Sequence, residues 1–222
     1  MSEHMLVMSK ANAGAEAAYV DWYRTRHLPD MLNVPGVDGG GVYELVEGDA
    51  APWEVAALYG LSTTVAGVLT EIFARAGGDA MPLTDTIDGS SVLMLGLEAI
   101  GPQRLADPAI DRSGATRYLV LTNPADGEDE AFNAWYDDRH LGDVLAIPGF
   151  VAAQRFRIAP ETAGKESPWR YLAVFELARE AAAEAMSELQ ARAGTDLMPI
   201  SPALDGSGVY AQLFGCVREL PA

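Results

Sequence analysis

Apolar residues along the chain follow two spacings, and these spacings alternate in a fixed order. Short apolar runs bounded by turn residues, such as YLAVFEL at 171–177, predict buried β-strands. Longer segments that mix apolar and charged residues at helical spacing, such as 128–145, predict amphipathic helices. The pattern predicts the order strand, helix, strand, strand, helix, strand in each half of the chain.

The predicted elements form two equivalent sets. In the first half they cover residues 4–10, 15–33, 37–46, 53–61, 63–76 and 90–98. In the second half they cover residues 117–123, 128–145, 150–158, 169–177, 179–193 and 207–217. This order is that of a ferredoxin-like βαββαβ unit, an α+β arrangement in which both helices lie on one face of the sheet.

An internal repeat explains why the same order occurs twice. The segment DWYRTRHLPDMLNVPGV at 21–37 aligns without gaps with AWYDDRHLGDVLAIPGF at 134–150. The predicted strands before and after these segments also align in sequence between the halves. The sequence therefore predicts a first unit at residues 1–100, a linker rich in Pro and Gly at 101–115, and a second unit at 116–222.

The predicted sheets have one face that the helices do not cover. A strand such as YLAVFEL is apolar on both faces, so the second face also needs a partner. Two units packed sheet to sheet would bury both open faces within one chain, as a homodimer does with two chains. We therefore expect two tandem ferredoxin-like βαββαβ units that form a fused dimeric α+β barrel.

Composition limits the classes of partner. Hydrophobic residues make up 49% of the 222 residues and charged residues 21%, which is typical of a globular protein. The net charge of −17 disfavours nucleic acid and anionic membranes as partners. A single cysteine, Cys216, and an N-terminus without a basic and apolar leader favour a cytoplasmic protein.

The repeated helix carries the candidate chemistry. Tyr23 and His27 lie four residues apart, as do Tyr136 and His140, so each pair shares one helical face. A histidine can exchange protons near neutral pH, and a neighbouring phenol can donate a hydrogen bond to an oxyanion. These four residues are the predicted catalytic residues. A buried imidazole that caps a carbonyl group is the structural alternative for each histidine.

Two aspartates follow the histidines at helical spacing. Asp30 and Asp143 lie three residues after each histidine and could orient the imidazole. Pro29 could disturb this register in the first copy, where the second copy has Gly142. Salt bridges from the preceding arginines to the same aspartates are the alternative. The tryptophans of the repeat are predicted to be core residues.

The halves differ on their second strand. Arg155 and Arg157 stand where the first half has Val42 and Glu44. Alternate residues of a strand share a face, so both arginines could hold an anionic group of a substrate. A charge on an edge strand, or a pair between Arg157 and Glu44, is the alternative. This asymmetry makes the second half the preferred site.

Several cofactor motifs are absent from the sequence. It contains no Gly-rich phosphate loop, HExxH zinc helix, GxSxG elbow or paired-cysteine metal site. We therefore predict no metal site and no cofactor. One histidine on the equivalent helix of each half leaves a haem-binding protein as a low-ranked alternative.

The repeated motif resembles the EthD-like branch of the dimeric α+β barrel superfamily. The resemblance rests on the aromatic pair, the histidine and the Pro-Gly ending of both copies, namely Trp22, Tyr23, His27, Pro35, Gly36, Trp135, Tyr136, His140, Pro148 and Gly149. It implies a ligand pocket between the sheet and the helices, with the histidine reaching into it. Members are mostly single units that dimerise, so the fused chain is expected to be an intramolecular pseudo-dimer that can still pair as a homodimer.

These observations lead to one leading expectation and two alternatives. We expect a cofactor-independent enzyme of isomerase, cyclase, lyase or monooxygenase type that acts on a small aromatic or polyketide-like carbonyl compound. His140 would be the general base, and Tyr136 would stabilise the enolate. The first alternative is a non-catalytic protein that binds a small apolar or aromatic metabolite in the same pocket. The second is the haem-binding protein.

Overall fold

The first half of the chain has the predicted order of elements in a computed structural model, which describes residues 3–46 and 51–221. Its first helix has three parts, α1, a π-helical turn and α2. The elements are β1 (Glu3–Ser9), α1 (Glu16–Trp22), the π-helical turn (Tyr23–His27), α2 (Leu28–Leu32), β2 (Val37–Leu45), β3 (Val55–Leu61), α3 (Val65–Arg75), a short 3₁₀ turn (Gly89–Ser91) and β4 (Leu93–Leu105).

The second half repeats this order and adds a small hairpin. Its elements are β5 (Thr116–Thr122), α4 (Asp129–Trp135), a second π-helical turn (Tyr136–His140), α5 (Leu141–Leu145), β6 (Phe150–Ile158), the hairpin strands β7 (Glu161–Thr162) and β8 (Lys165–Glu166), β9 (Tyr171–Leu177), a 3₁₀ turn (Arg179–Ala181), α6 (Ala182–Arg192) and β10 (Tyr210–Pro221). No helix in the described part of the chain is long and apolar enough to cross a membrane.

The first unit is a ferredoxin-like sheet in the strand order β4-β1-β3-β2. β1 is central and antiparallel to both neighbours, with Met5 opposite Tyr59 of β3. The last residues of β10 pair with β2 and belong to this unit, as does the hairpin region 158–167. A buried apolar core lies between the sheet and its helices.

The second unit has the equivalent strand order β10-β5-β9-β6. Tyr118 of β5 lies opposite Phe175 of β9, which is the position that Tyr59 holds in the first unit. Every residue of β9 is buried, as its continuous apolar run predicts. This unit has its own apolar core.

The hydrogen-bonded strand order is closed. It runs β1-β3-β2-β10-β5-β9-β6-β4 and returns to β1, which is the order of an eight-stranded antiparallel α+β barrel. The predicted fold class is confirmed.

Strand β4 extends beyond its predicted end at residue 98. It continues to Leu105, so the beginning of the predicted linker at 101–115 is strand. β1 pairs with β4 only as far as Glu98, so Pro102 lies where β1 no longer needs a backbone N–H from β4. The Gly-Pro pair therefore does not end the strand.

The predicted helices at 15–33 and 128–145 each contain a π-helical turn. The backbone N–H of Leu28 donates to the carbonyl oxygen of Tyr23, and Leu141 donates in the same way to Tyr136. Both copies have this turn although only the first contains Pro29, so the proline is not its cause. The turn carries the tyrosine and the histidine of each predicted site. Such turns are frequent at functional sites.

The Pro-Gly endings of the repeat turn the chain with positive φ at Gly36 and Gly149. Gly149 has a φ of 101°, and a Cβ there would lie 3.0 Å from the Cβ atoms of Ala181 and Ala185. Gly127 has a φ of 80° and open space around it. We expect G127A to lower the free energy of unfolding by about 1 kcal/mol and G149A by about 3 kcal/mol, because only the second adds a steric clash. Urea unfolding measures both, and equal losses would contradict the packing argument.

Candidate functional site

The first unit contains a mostly apolar cavity of about 270 Å³ between its sheet and its helices. Its apolar walls come from β1, β4, α3 and the segment after α3. The lining residues are Met5, Val7, Ser9, Tyr19, Trp22, Tyr23, His27, Met31, Tyr59, Ile72, Phe73, Ala76, Met81, Leu83, Thr84, Ile87, Val92 and Met94. Two of the predicted catalytic residues, Tyr23 and His27, therefore line the same cavity.

His27 is held between aromatic rings. The indole of Trp22 stacks on the imidazole at a centroid distance of 4.6 Å, and Tyr23 meets it edge-on at 4.8 Å. Burial lowers the pKa of His27 from 6.5 to about 4, because the imidazolium would lose its hydration. Its Nδ1 is buried and has no hydrogen-bond partner among residues 3–46 and 51–221. The imidazole is therefore neutral at ordinary pH.

Two hydroxyl pairs also line the cavity. The hydroxyl of Tyr23 lies 3.2 Å from that of Tyr59, and the hydroxyl of Tyr19 lies 2.7 Å from that of Ser9. Burial raises the pKa of Tyr19 to about 12 and raises the pKa values of Tyr23 and Tyr59 well above their ordinary range. All three phenols therefore keep their protons and can donate hydrogen bonds.

The lining carries no formal charge. None of the described lining residues is Asp, Glu, Lys or Arg, and His27 is neutral. An anionic ligand would lose its hydration here without gaining a counter-charge. The cavity therefore favours a neutral ligand with a large apolar surface.

Two apolar side chains of the lining reach the surface. Phe73 is 57% exposed and Leu83 is 69% exposed, although both contribute to the cavity wall. They come from α3 and from the segment that follows it. They therefore mark the mouth through which an apolar ligand would enter.

The second unit reproduces the aromatic contacts of the histidine. Trp135 stacks on His140 at 4.4 Å, and Tyr136 meets it edge-on at 5.1 Å. Burial lowers the pKa of His140 to about 4, and its Nδ1 likewise has no partner in the described chain. These features belong to the repeat, so they do not by themselves distinguish a ligand site from a folding role.

The units differ in their hydroxyl groups. Phe132 stands at the position of Tyr19, and Phe175 stands at that of Tyr59. Tyr136 therefore has a phenylalanine where Tyr23 of the first unit has the phenol of Tyr59.

The arginines predicted to bind substrate lie outside the first-unit cavity. Arg155 is buried, donates to Asn133 and Asp137 at 2.7 and 2.9 Å, and stacks on the ring of Tyr136 at 4.4 Å. Its guanidinium thus has partners from its own unit. Arg157 is exposed. These placements remove the reason for preferring the second half.

The two aspartates pair with arginine rather than with histidine. Asp30 accepts from Arg26 at 2.7 Å, and Asp143 accepts from Arg139 at 3.0 Å. Each arginine also donates to a backbone carbonyl group after the second helix of its unit. The hydrogen bonds of Asp30 and Asp143 are therefore those of the salt-bridge alternative.

Three hydroxyl-bearing residues of the cavity and the tryptophan beside His27 were not predicted as site residues from the sequence. Ser9, Tyr19 and Tyr59 supply hydroxyl groups, and Trp22, which we predicted to be a core residue, covers the face of His27. The sequence signal that could have identified Tyr19 and Tyr59 is that both align with phenylalanine in the second half.

The histidine environments do not fit haem. An axial histidine normally has its second ring nitrogen held by a carboxylate or carbonyl group, and neither Nδ1 has such a partner in the described residues. The cavity of about 270 Å³ lies below the range of about 300–1,000 Å³ that accommodates drug-sized ligands, and haem is larger than these.

Comparison with known proteins supports the fold. No protein-family model and no curated protein matches the chain. An anthrone oxidase-like protein has a TM-score of 0.61 at 13% identity, with 100% of this chain and 93% of that chain covered. A Fusobacterium nucleatum protein provisionally named a monooxygenase has a TM-score of 0.56 at 8% identity, covering 99% and 94%.

A third solved structure extends the comparison. Chlorite dismutase from Candidatus Nitrospira defluvii has a TM-score of 0.55 at 9% identity, with 96% of this chain and 91% of that chain covered. At these identities the similarity concerns the fold alone, and the EthD-like assignment stays a prediction. The chain has the fold of the dimeric α+β barrel proteins.

Proposed function

We propose that the first-unit cavity is the active site of a cofactor-independent enzyme that moves a proton on a small, neutral aromatic carbonyl compound. One observation carries the proposal. A neutral, half-buried imidazole and a pair of protonated phenols line the same apolar cavity, and no described lining residue is Asp, Glu, Lys or Arg. The imidazole can accept a proton, and the phenols can donate to the oxygen on which negative charge develops.

The proposed step is enolisation. His27 takes a proton from the carbon atom conjugated with the carbonyl group, and the electron pair of that C–H bond moves onto the carbonyl oxygen. A hydroxyl of the Tyr23–Tyr59 pair donates to this oxyanion. The negative charge of the enolate stabilises the new imidazolium of His27, because an opposite charge at close range raises the pKa of a histidine.

Isomerases, cyclases, lyases and cofactor-independent monooxygenases can all begin with this step. The names of two structural neighbours, an anthrone oxidase-like protein and a monooxygenase, favour oxidation. In that case dioxygen reacts with the enolate at carbon, a methylene group becomes a carbonyl group, and the second oxygen atom leaves as water. Anthrone suits the test because it is a neutral aromatic ketone with one activated methylene group at C10.

Deuterium exchange tests the proton transfer without dioxygen. Anthrone is incubated with the protein in anaerobic D₂O, and loss of the C10 proton signal is followed by NMR. The proposal predicts faster exchange than in buffer and, after air is admitted, one dioxygen consumed for each new carbonyl group. Exchange at the buffer rate with anthrone bound would contradict the proposal.

A binding protein without catalysis is the second candidate. It is favoured by the low pKa of His27, which makes the imidazole a weaker base than an ordinary histidine, and by the same environment around His140. This candidate predicts saturable anthrone binding with no exchange above the buffer rate.

A further inference from the structure

We infer that Tyr59 determines ligand specificity, because its hydroxyl pair with Tyr23 selects compounds that present a carbonyl oxygen. The inference deepens the proposed function and uses the same site. It concerns recognition in the ground state and does not require turnover.

Hydrogen-bond accounting leads to this inference. The two phenols carry two hydroxyl hydrogens, and the bond between their oxygens uses one of them. The second hydrogen needs an acceptor, since a buried donor without one is costly. Both phenols stay protonated, because burial raises both pKa values. The pair therefore offers a donor and no negative charge, which suits a neutral carbonyl group.

The length of the bond favours this pair over the other one. Hydroxyl hydrogen bonds are most often about 2.7–2.8 Å long, and the Ser9–Tyr19 bond is 2.7 Å. The Tyr23–Tyr59 bond is 3.2 Å, which is longer than usual and therefore weak. A ligand oxygen can replace it at little cost and then accept from both hydroxyls, so the Tyr59 hydroxyl contributes one of the two hydrogen bonds to the ligand. Tyr23 also meets the His27 ring at 4.8 Å, so a carbonyl group held here lies near the proposed base.

The second unit provides a natural comparison. It keeps the tyrosine of the π-helical turn, Tyr136, but has Phe175 in place of Tyr59. Tyr59 is fully buried, and Phe175 is 2% exposed. The substitution Y59F therefore introduces a side chain that the same fold already accepts at the equivalent position.

Two matched ligands test the inference. Dissociation constants of anthrone and of 9,10-dihydroanthracene, which has a methylene group in place of the carbonyl, are measured by protein fluorescence without dioxygen. We expect Y59F to reduce the preference for anthrone over dihydroanthracene by about tenfold, the usual effect of one net hydrogen bond. F175Y, which changes the equivalent position in the second unit, should leave the preference unchanged. A change below twofold in Y59F, or an equal change in F175Y, would overturn the inference.

If the Y59F variant does not fold, an infrared measurement on the unmodified protein tests the same inference. The carbonyl stretch of bound anthrone should shift to lower frequency than in an apolar solvent, because a phenol donates to it. An unshifted band would overturn the inference. Anthrone that binds with the expected preference but does not exchange its C10 protons would refute only the proposed enzyme. Absence of binding by both compounds would refute both proposals.

Discussion

Replacing His27 by Phe should slow C10 proton exchange in bound anthrone by at least about 100-fold, because a general base contributes about 10²–10⁴ to rate. Phe keeps a flat ring against Trp22, whose indole stacks on the imidazole at 4.6 Å, so the cavity should retain its shape. Anthrone affinity should therefore change little. NMR exchange rates at saturating anthrone measure the effect.

The second unit supplies a matched control for this substitution. His140 has the same stacked tryptophan, the same edge-on tyrosine and the same lowered pKa of about 4. H140F removes an equivalent imidazole from the other unit and should leave the exchange rate unchanged. An H27F variant that exchanges as fast as the unmodified protein, or an H140F variant that loses exchange, would refute His27 as the base.

Stability should fall on mild acidification because both histidines are half-buried in neutral form. Burial lowers the pKa values of His27 and His140 from 6.5 to about 4. Below pH 6.5 the unfolded chain takes up protons that the folded chain accepts only near pH 4, so the free energy of unfolding decreases as pH falls through this window. The expected loss is about 3 kcal/mol for each histidine by pH 4.

Urea unfolding at pH 7 and pH 4 measures this loss, and the variant H27F/H140F isolates it. Carboxylates that titrate in the same range contribute equally to both proteins, so the difference between them belongs to the histidines. The double variant should lose about 6 kcal/mol less than the unmodified protein between these pH values. Equal losses in both proteins would show that the two imidazoles titrate normally.

The repeat made the fold predictable from sequence. The aligned segments at 21–37 and 134–150 fixed the order of elements twice, and apolar strands such as 171–177 indicated sheets that need cover on both faces. The structure confirms the closed α+β barrel order. The end of β4 was not predictable from propensity, because β4 lies beside β6 as well as β1 in the strand order and continues to Leu105 through Pro102.

The local helix geometry was predictable only in part. The spacing of Tyr23 and His27 correctly placed their rings in contact. The π-helical turn that carries them has no distinct signal in the sequence, since it occurs with Pro29 in one copy and Gly142 in the other. Sequence spacing alone does not distinguish such a turn from a continuous α-helix.

The location of the candidate site required the structure. Charge asymmetry on β6 pointed to the second unit, but Arg155 is occupied by Asn133, Asp137 and the ring of Tyr136. The cavity lies in the first unit. Its aromatic rings differ from the equivalent rings of the second unit by two hydroxyl groups, those of Tyr19 and Tyr59. Tyr59 aligned with Phe175 reads as conservative in a sequence comparison, although one hydroxyl changes which ligand the site can recognise.

A crystal structure of the protein soaked with anthrone without dioxygen tests the central claim most directly. We predict density for anthrone in the first-unit cavity, with C10 next to the imidazole of His27 and the carbonyl oxygen within hydrogen-bond distance of the Tyr23 or Tyr59 hydroxyl. Density beside His140 with an empty first-unit cavity would contradict the account.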